Sequence, residues 1–252
     1  MKTSASDAII DLIDSGQSEL RSDTQGARAY REIRRAILEC RLAPGSTIDE
    51  KSLTRELELG RTPVREALLS LSSVRLVQFV SGQAIQVAPI GLKDIRDLYE
   101  DRLHSERLAA FLAARRMGPE EIDAMQHNFD GAAVMLSAGL QADTIALDFR
   151  FHSMIYRGAK NAVLSEHLHN LFAHSYRLWR LAGTDDPSRI SAIIRSHEPL
   201  IDALSRRDAQ KADALIVEHI GAAFQSLLET IRGDSFNEIG RLPVATLGPG
   251  SA

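Results

Sequence analysis

One short stretch of this chain breaks step with everything around it. From about Gln25 to Gly233, apolar residues return every three or four positions, the spacing that gives a helix one apolar face. Between Val77 and Ala88 they do not. Val77 and Phe79, then Ile85 and Val87, alternate imperfectly with Gln78, Val80, Gln86 and Ala88 around Ser81-Gly82-Gln83. A period of two over so short a run, interrupted by a turn signal, predicts a two-stranded hairpin. A chain that is helical by pattern elsewhere and carries one early hairpin is mainly α. The hairpin must then complete whatever the helices before it build.

Three helical segments precede it. Tyr30, Ile33, Ile37 and Leu38 lie on one face of the first, which should stop near Arg41 because Pro44-Gly45 is a turn signal. Asp49 to Leu57 reads as a short second helix with Leu53 and Leu57 inward, broken by Gly60. A third has Thr62 as cap, Pro63 at its first position, and Val64, Ala67, Leu68 and Leu71 as its stripe. Three short helices closed by a hairpin describe a winged helix-turn-helix over residues 25–90, here called the head. Beyond Gly91 the pattern predicts helices near 92–116, 119–137, 142–158, 161–182, 186–206 and 208–232. Pro119, Gly139, Gly158, Asn161, Gly183, Pro187 and Asp208 separate them. Residues 91–233, the body, are therefore expected to form an antiparallel bundle of about six helices. Residues 1–24 read as a flexible leader with a short helix around Ile9 to Ile13, and residues 234–252 as a loose tail.

Bulk composition narrows the setting. Cys40 is the single cysteine, so neither an internal disulfide nor a cysteine-based zinc cluster can form, and the chain fits a reducing compartment. The longest apolar run, Leu108 to Ala114, is far short of the roughly 20 residues a membrane helix needs. Asp7, Asp11, Asp14 and Glu19 interrupt the place where a signal peptide would be apolar. A cytoplasmic protein without a membrane partner is expected. The net charge of −4 argues against nucleic acid until it is divided. Ten basic residues against seven acidic ones give residues 25–90 a charge of +3, which leaves −7 for the rest. A basic head on an acidic body suits a DNA reader with a separate regulatory part.

The stretch Gly60-Arg61-Thr62-Pro63-Val64-Arg65-Glu66-Ala67-Leu68, with Leu42-Ala43-Pro44-Gly45 before it and Gly82 at a wing tip after it, resembles the GntR family of bacterial transcription regulators. The physical reading agrees. Arg61 and Arg65 are four apart, hence on one helical face, and an arginine can grip guanine bidentately or anchor to phosphate. Thr62 sits where a helix N-terminus favours an anion. Gly82 suits a tight wing turn. The resemblance implies that Lys51, Arg61, Thr62, Pro63, Arg65 and Gly82 contact double-stranded operator DNA. The chain departs from the family pattern twice. Glu58-Leu59-Gly60 replaces a Gly-hydrophobic-Ser turn, and Arg75 stands where the family has a glycine.

The body carries a second constellation. Asp148 and His152 are four apart and so share a helical face. His197 and His219 lie on two later helices, and three helices of a bundle can aim four ligands at one point. On composition alone such histidines are more often satisfied core or surface residues. The Asp-x-x-x-His pair with the two later histidines is, however, similar to the FCD-type ligand-binding domain of the FadR-like branch, and a six-helix count to its VanR-like subgroup. That resemblance implies that Asp148, His152, His197 and His219 ligate a divalent transition metal. Zinc is favoured, with nickel, iron or manganese as alternatives. Arg102, on an inward stripe with Ile95, Leu98, Tyr99 and Ala109, is the candidate contact for a small organic acid effector, with Glu106 as its alternative partner. Arg177 and Trp179 flank another inward stretch.

The expected function is a ligand-responsive homodimeric transcription regulator, a repressor whose operator affinity changes when a small carboxylate binds at the metal. Two other readings use the same residues. A hydrolase-like enzyme would need a general base, and Glu198 beside His197 should point about 100° away. A regulator with a purely structural metal would not respond to acids.

Overall fold

The computed structural model describes residues 9–11, 13, 24–80, 84–139, 141–182 and 187–233. The head begins with α1 (Gln25–Leu38), capped by Thr24, whose side chain accepts from the Ala27 N–H. Its buried face is Tyr30, Ile33, Ile37 and Leu38, as the spacing predicts. Then come β1 (Thr47–Ile48), α2 (Glu50–Glu56), α3 (Arg61–Ser73), β2 (Val77–Val80) and β3 (Ala84–Val87). Asp49 starts α2 by accepting the Lys51 N–H. The hairpin is in register with Val77 opposite Val87 and Val80 opposite Ala84. The sequence reading misses one strand. Thr47 and Ile48 pair antiparallel with Gln86 and Ile85, making a three-stranded sheet in the order β1-β3-β2. Two residues cannot display a period, so that strand left no pattern.

The body comprises α4 (Leu92–Arg116), α5 (Pro119–Ser137), α6 (Gln141–Gly158), α7 (Ala162–Ala182), α8 (Pro187–Arg195), α9 (His197–Ser205) and α10 (Ala209–Gly233). Carboxylates turn back on two N-termini. Asp94 accepts the Gly91 N–H at the start of α4, and Glu121 accepts the Gly118 N–H at the start of α5. The single helix expected over 186–206 is two. Pro199 has no N–H for the carbonyl of Arg195, and its ring crowds that carbonyl, so the helix breaks one residue on, at Ser196. The six predicted segments thus become seven helices, and the subgroup likeness that rested on six holds only with the broken pair taken as one.

Helices α4 and α10 pack against each other at the centre of the body, α6 and α7 pack on α4, and α5 packs on α6 and α9. The stretch Ala209–Ile231 of α10 has the length and apolarity of a membrane span, but it carries His219 inward and is the body's central partner for α4. The leader needs a correction at its described residues. Ile9, Ile10 and Ile13 are helical and buried in the main core, so that part is packed. The expected tail, 234–252, lies outside the described residues.

Candidate DNA-reading helix and metal centre

Helix α3 begins two residues earlier than expected. Gly60 is its N-cap and offers no side-chain hydrogen bond, Arg61 is its first residue, and Pro63 is its third. Pro63 is tolerated there because the N–H groups of the first turn have no helical partner to lose. Val64, Ala67, Leu68 and Leu71 are buried, which leaves Arg61, Thr62 and Arg65 exposed on the opposite face. Lys51 is exposed on α2. A concavity of about 350 Å³ between the two helices is lined by Glu50, Arg61, Thr62, Arg65, Glu66 and Leu69. Arg65 is 67% exposed and reaches Glu50 only at 4.0 Å, too loosely to hold it from another anion. Gly82 lies outside the described residues.

The two departures from the family pattern share one physical signature. Glu58 has φ of 53° and Arg75 has φ of 59°, both in the left-handed region where a glycine would be unstrained. The missing serine shows as the missing cap at Gly60.

In the body, α6, α9 and α10 bring Asp148, His152, His197 and His219 together, one ligand atom of each lying within 4.8 Å of the others. The three imidazoles are buried, and Asp148 is about 20% exposed. His152 Nε2 faces His219 Nε2 at 3.0 Å. His152 Nδ1 is 2.9 Å from Glu106 Oε2 and must donate to it, since an ionised carboxylate only accepts. His219 Nδ1 is 2.7 Å from Ser196 Oγ, whose own hydrogen goes to the Ile193 carbonyl. Both δ nitrogens therefore hold the proton, and two ε lone pairs point at each other. His197 Nε2 lies 3.1 Å from Asp148 Oδ1, yet neither atom has a properly directed hydrogen bond. Ligand atoms around one ion with bonds of about 2.0–2.2 Å stand about 3 to 4 Å apart. A cation at their centre satisfies all four at once, so the residues present fit a divalent metal.

The supporting contacts are as specific as the ligands. Glu106 also takes Arg102, whose Nε donates to Oε1 at 2.8 Å and whose Nη2 lies 2.6 Å from it. Arg102 Nη1 donates to Ser175 Oγ. Arg102, Glu106 and His152 thus form one buried chain ending at the metal position, an arrangement that fixes the tautomer and orientation of a ligating histidine. Phe151 stacks on His197 with ring centroids 3.8 Å apart. The sequence weighed Glu106 only as a partner of Arg102. Its bond to His152 joins α4 to α6 across 46 positions of the chain, and no spacing announces it. Ser196 and Phe151 adjoin predicted ligands and could have been noticed there.

Electrostatics prepare the same state. Burial alone would raise the Glu106 carboxyl, but Arg102 and His152 bring it down to about 2. Burial likewise works against ionised Asp148, and His197, His152 and His219 outweigh it, holding the carboxyl below the usual range. Burial, reinforced by His197 and His152, pushes His219 well below the ordinary imidazole value. His197 is lowered by burial despite Asp148. A charged carboxylate beside His197 and His219, which resist protonation, is the form a metal binds.

A cavity of about 50 Å³ opens on this set, walled by Ile145, Phe149, Phe172, Trp179, Ile190 and Ile194, with Arg102 and Ser175 as polar members. Glu198 is exposed and does not join it. Of the second flanking pair, Trp179 lines the cavity, whereas Arg177 turns the other way, to the head.

Comparison with known proteins gives two family matches. The model described as "Bacterial regulatory proteins, gntR family" matches residues 25–87, and the FCD domain model matches residues 97–222. The chain is 26% identical to the HTH-type transcriptional repressor RspR of Escherichia coli K12 over 203 residues, which is 81% of this chain and 87% of that protein. It is also 26% identical to a probable D-xylose utilization operon transcriptional repressor of Paenarthrobacter nicotinovorans, across 74% of this chain and 81% of that one. Among solved structures, Escherichia coli McbR/YncC superposes with a TM-score of 0.71 at 22% identity, covering 82% of this chain and 99% of the other, a likeness of fold.

Proposed function

The chain belongs to the GntR family of bacterial regulatory proteins in the form that carries an FCD domain, and from that premise we propose how this DNA-binding transcription regulator is controlled. It is a regulator and not an enzyme. In our reading it is a cytoplasmic homodimeric repressor without a membrane partner. The head, residues 25–90, contacts operator DNA through Lys51, Arg61, Thr62, Pro63, Arg65 and Gly82. The body, residues 91–233, holds a divalent metal, zinc in the first instance, on Asp148, His152, His197 and His219, and a small organic acid reaches that metal from the cavity. Residues 1–24 precede the head and pack into the main core at Ile9, Ile10 and Ile13, and residues 234–252 are a tail.

One observation carries this reading: His152 and His219 set their ε nitrogens 3.0 Å apart with both δ nitrogens already committed. A bound metal would supply a Lewis-acid point for a carboxylate. The chain's own residues do the rest. Glu106 and Ser196 hold two imidazoles in the ligating tautomer. Asp148, the most exposed of the four, lines the cavity. Arg102 is already neutralised by Glu106, so it offers the acid directed N–H groups from a balanced pair rather than a free charge. The apolar walls exclude water around that contact. An acid that binds one spacing of the two heads better than another shifts operator affinity by its differential affinity.

The test is metal analysis of the purified chain combined with a thermal-shift panel of small carboxylates. We expect about one metal per chain and stabilisation by particular acids only in the metal-loaded protein. Stabilisation that survives metal removal overturns the proposal.

A further inference from the structure

The seam between head and body holds a buried cation that the regulator reading does not use. Arg177 on α7 is 1% exposed, and its one directed hydrogen bond runs from Nη2 to the Ala88 carbonyl at the end of β3, at 3.0 Å. Its Nε is buried with no partner, and among the described residues no carboxylate lies within ion-pair distance of it. His174, one turn earlier, gives Nε2 to the Val74 carbonyl at the end of α3, at 2.9 Å. The charges of Arg34, Arg75 and Arg177 all act on that imidazole, so the seam concentrates positive charge from α1, from the turn after α3 and from α7. A buried guanidinium without a counter-ion is costly, and the cost is recovered when an anion arrives.

Arg75, His174 and Arg177 line one end of a groove of about 890 Å³ that runs between head and body. The other wall carries Asp94, Asp97 and Asp101, but each is engaged. Asp94 accepts the Gly91 N–H, Asp97 pairs with Lys93 and Arg96, and Asp101 accepts from Ser105 and meets His167. Of the three carboxylates only Asp97 meets a lysine or arginine, and Arg177 is the buried guanidinium of the lining that, among the described residues, no carboxylate neutralises.

We propose that this end of the groove is a second ligand site, separate from the metal centre, that takes a small oxyanion, a phosphate or a carboxylate, between Arg177 and Arg75. The planar guanidinium fork matches either head group, and its bare Nε–H supplies a donor already paid for in burial. Because Arg75 and the Ala88 carbonyl belong to the head while His174 and Arg177 belong to the body, an anion there would tie the recognition helix to the bundle.

The test uses the full chain freed of metal with a chelator, titrated separately with inorganic phosphate and with acetate at constant chloride, followed by thermal shift. A saturable rise in Tm with phosphate, acetate or both is expected, and the more effective arm identifies the head group. Asp148→Ala should keep the whole response, while Arg177→Met, folded by circular dichroism, should lose it and Arg177→Lys should keep part. Should Arg177→Met fail to fold, the Arg177 Nε–H resonance of the unmodified chain is the readout, and it should move with the same midpoint. No saturable shift, an undiminished shift in Arg177→Met, or an unmoved Nε–H resonance under saturation each overturns the proposal.

Discussion

Head and body each set an arginine four residues from another charged side chain on one helix, and they put it to opposite uses. On α3, Arg61 and Arg65 stand in solvent, Arg65 meeting Glu50 only at 4.0 Å, ready for a large polyanion. On α4, Arg102 is buried and locked to Glu106, which in turn holds His152. Exposure decides the difference. An arginine in water gives contacts that salt screens and that a phosphate backbone can recruit. The same group in a low-dielectric interior is costly unless paired, and once paired it becomes a rigid support. The head's chemistry should therefore be sensitive to salt and tolerant of small shifts, and the body's the reverse.

The sharpest break in that comparison is expected at the ligands. Asp148→Ala or His219→Ala should take metal content from about one per chain to none while leaving the head folded, measured by elemental analysis and circular dichroism. Next, Arg61→Ala or Arg65→Ala should weaken operator binding by about 10- to 100-fold, the worth of one bidentate base contact, or lower the salt slope by about one if the contact is to phosphate. Metal content should not change. Glu106→Gln keeps the shape but removes the charge that balances Arg102. Metal affinity should fall by about 10- to 100-fold, with the operator affinity of the acid-free protein little altered.

A pH titration probes the seam between the two regions. Burial, with Arg177, Arg34 and Arg75, lowers His174 from 6.5 to about 4. The unfolded chain then binds more protons between those values, so stability should be complete above pH 6.5 and fall as the pH drops toward 4. His174→Asn should flatten that slope in metal-free protein, read by denaturant melts. The smallest effect belongs to the turns. Glu58→Gly and Arg75→Gly relieve left-handed strain and should each raise stability by about 1 kcal/mol or less, since glycine also costs chain entropy.

Periodicity carried the sequence far, because it reports which face of an element is buried. It placed α1, the core stripe of α3, the hairpin and most body helices, whereas the choice of Asp148, His152, His197 and His219 among eight histidines came from the family resemblance. It could not report what meets what. The two-residue β1 is too short to show a period. The break before His197 comes from Pro199, a steric effect felt four residues upstream. Glu106 reaches His152 across the bundle, and Arg177 leaves its expected inward stretch for a carbonyl of the head. At Glu58 the sequence shows only a change of residue type, whereas the backbone shows a left-handed turn held by a non-glycine residue.

In the proposed regulator, an acid at the body's metal controls the head's grip on DNA. That coupling is tested most directly by locating an operator by footprinting of the DNA upstream of the protein's own coding region, then measuring operator Kd at fixed salt for metal-loaded wild-type protein and for Asp148→Ala, each with and without the carboxylates that stabilise the wild type. We predict a change of about 5- to 150-fold in the wild type, the usual range for coupled sites, and none in Asp148→Ala. An equal change in both proteins, or none in either, contradicts it.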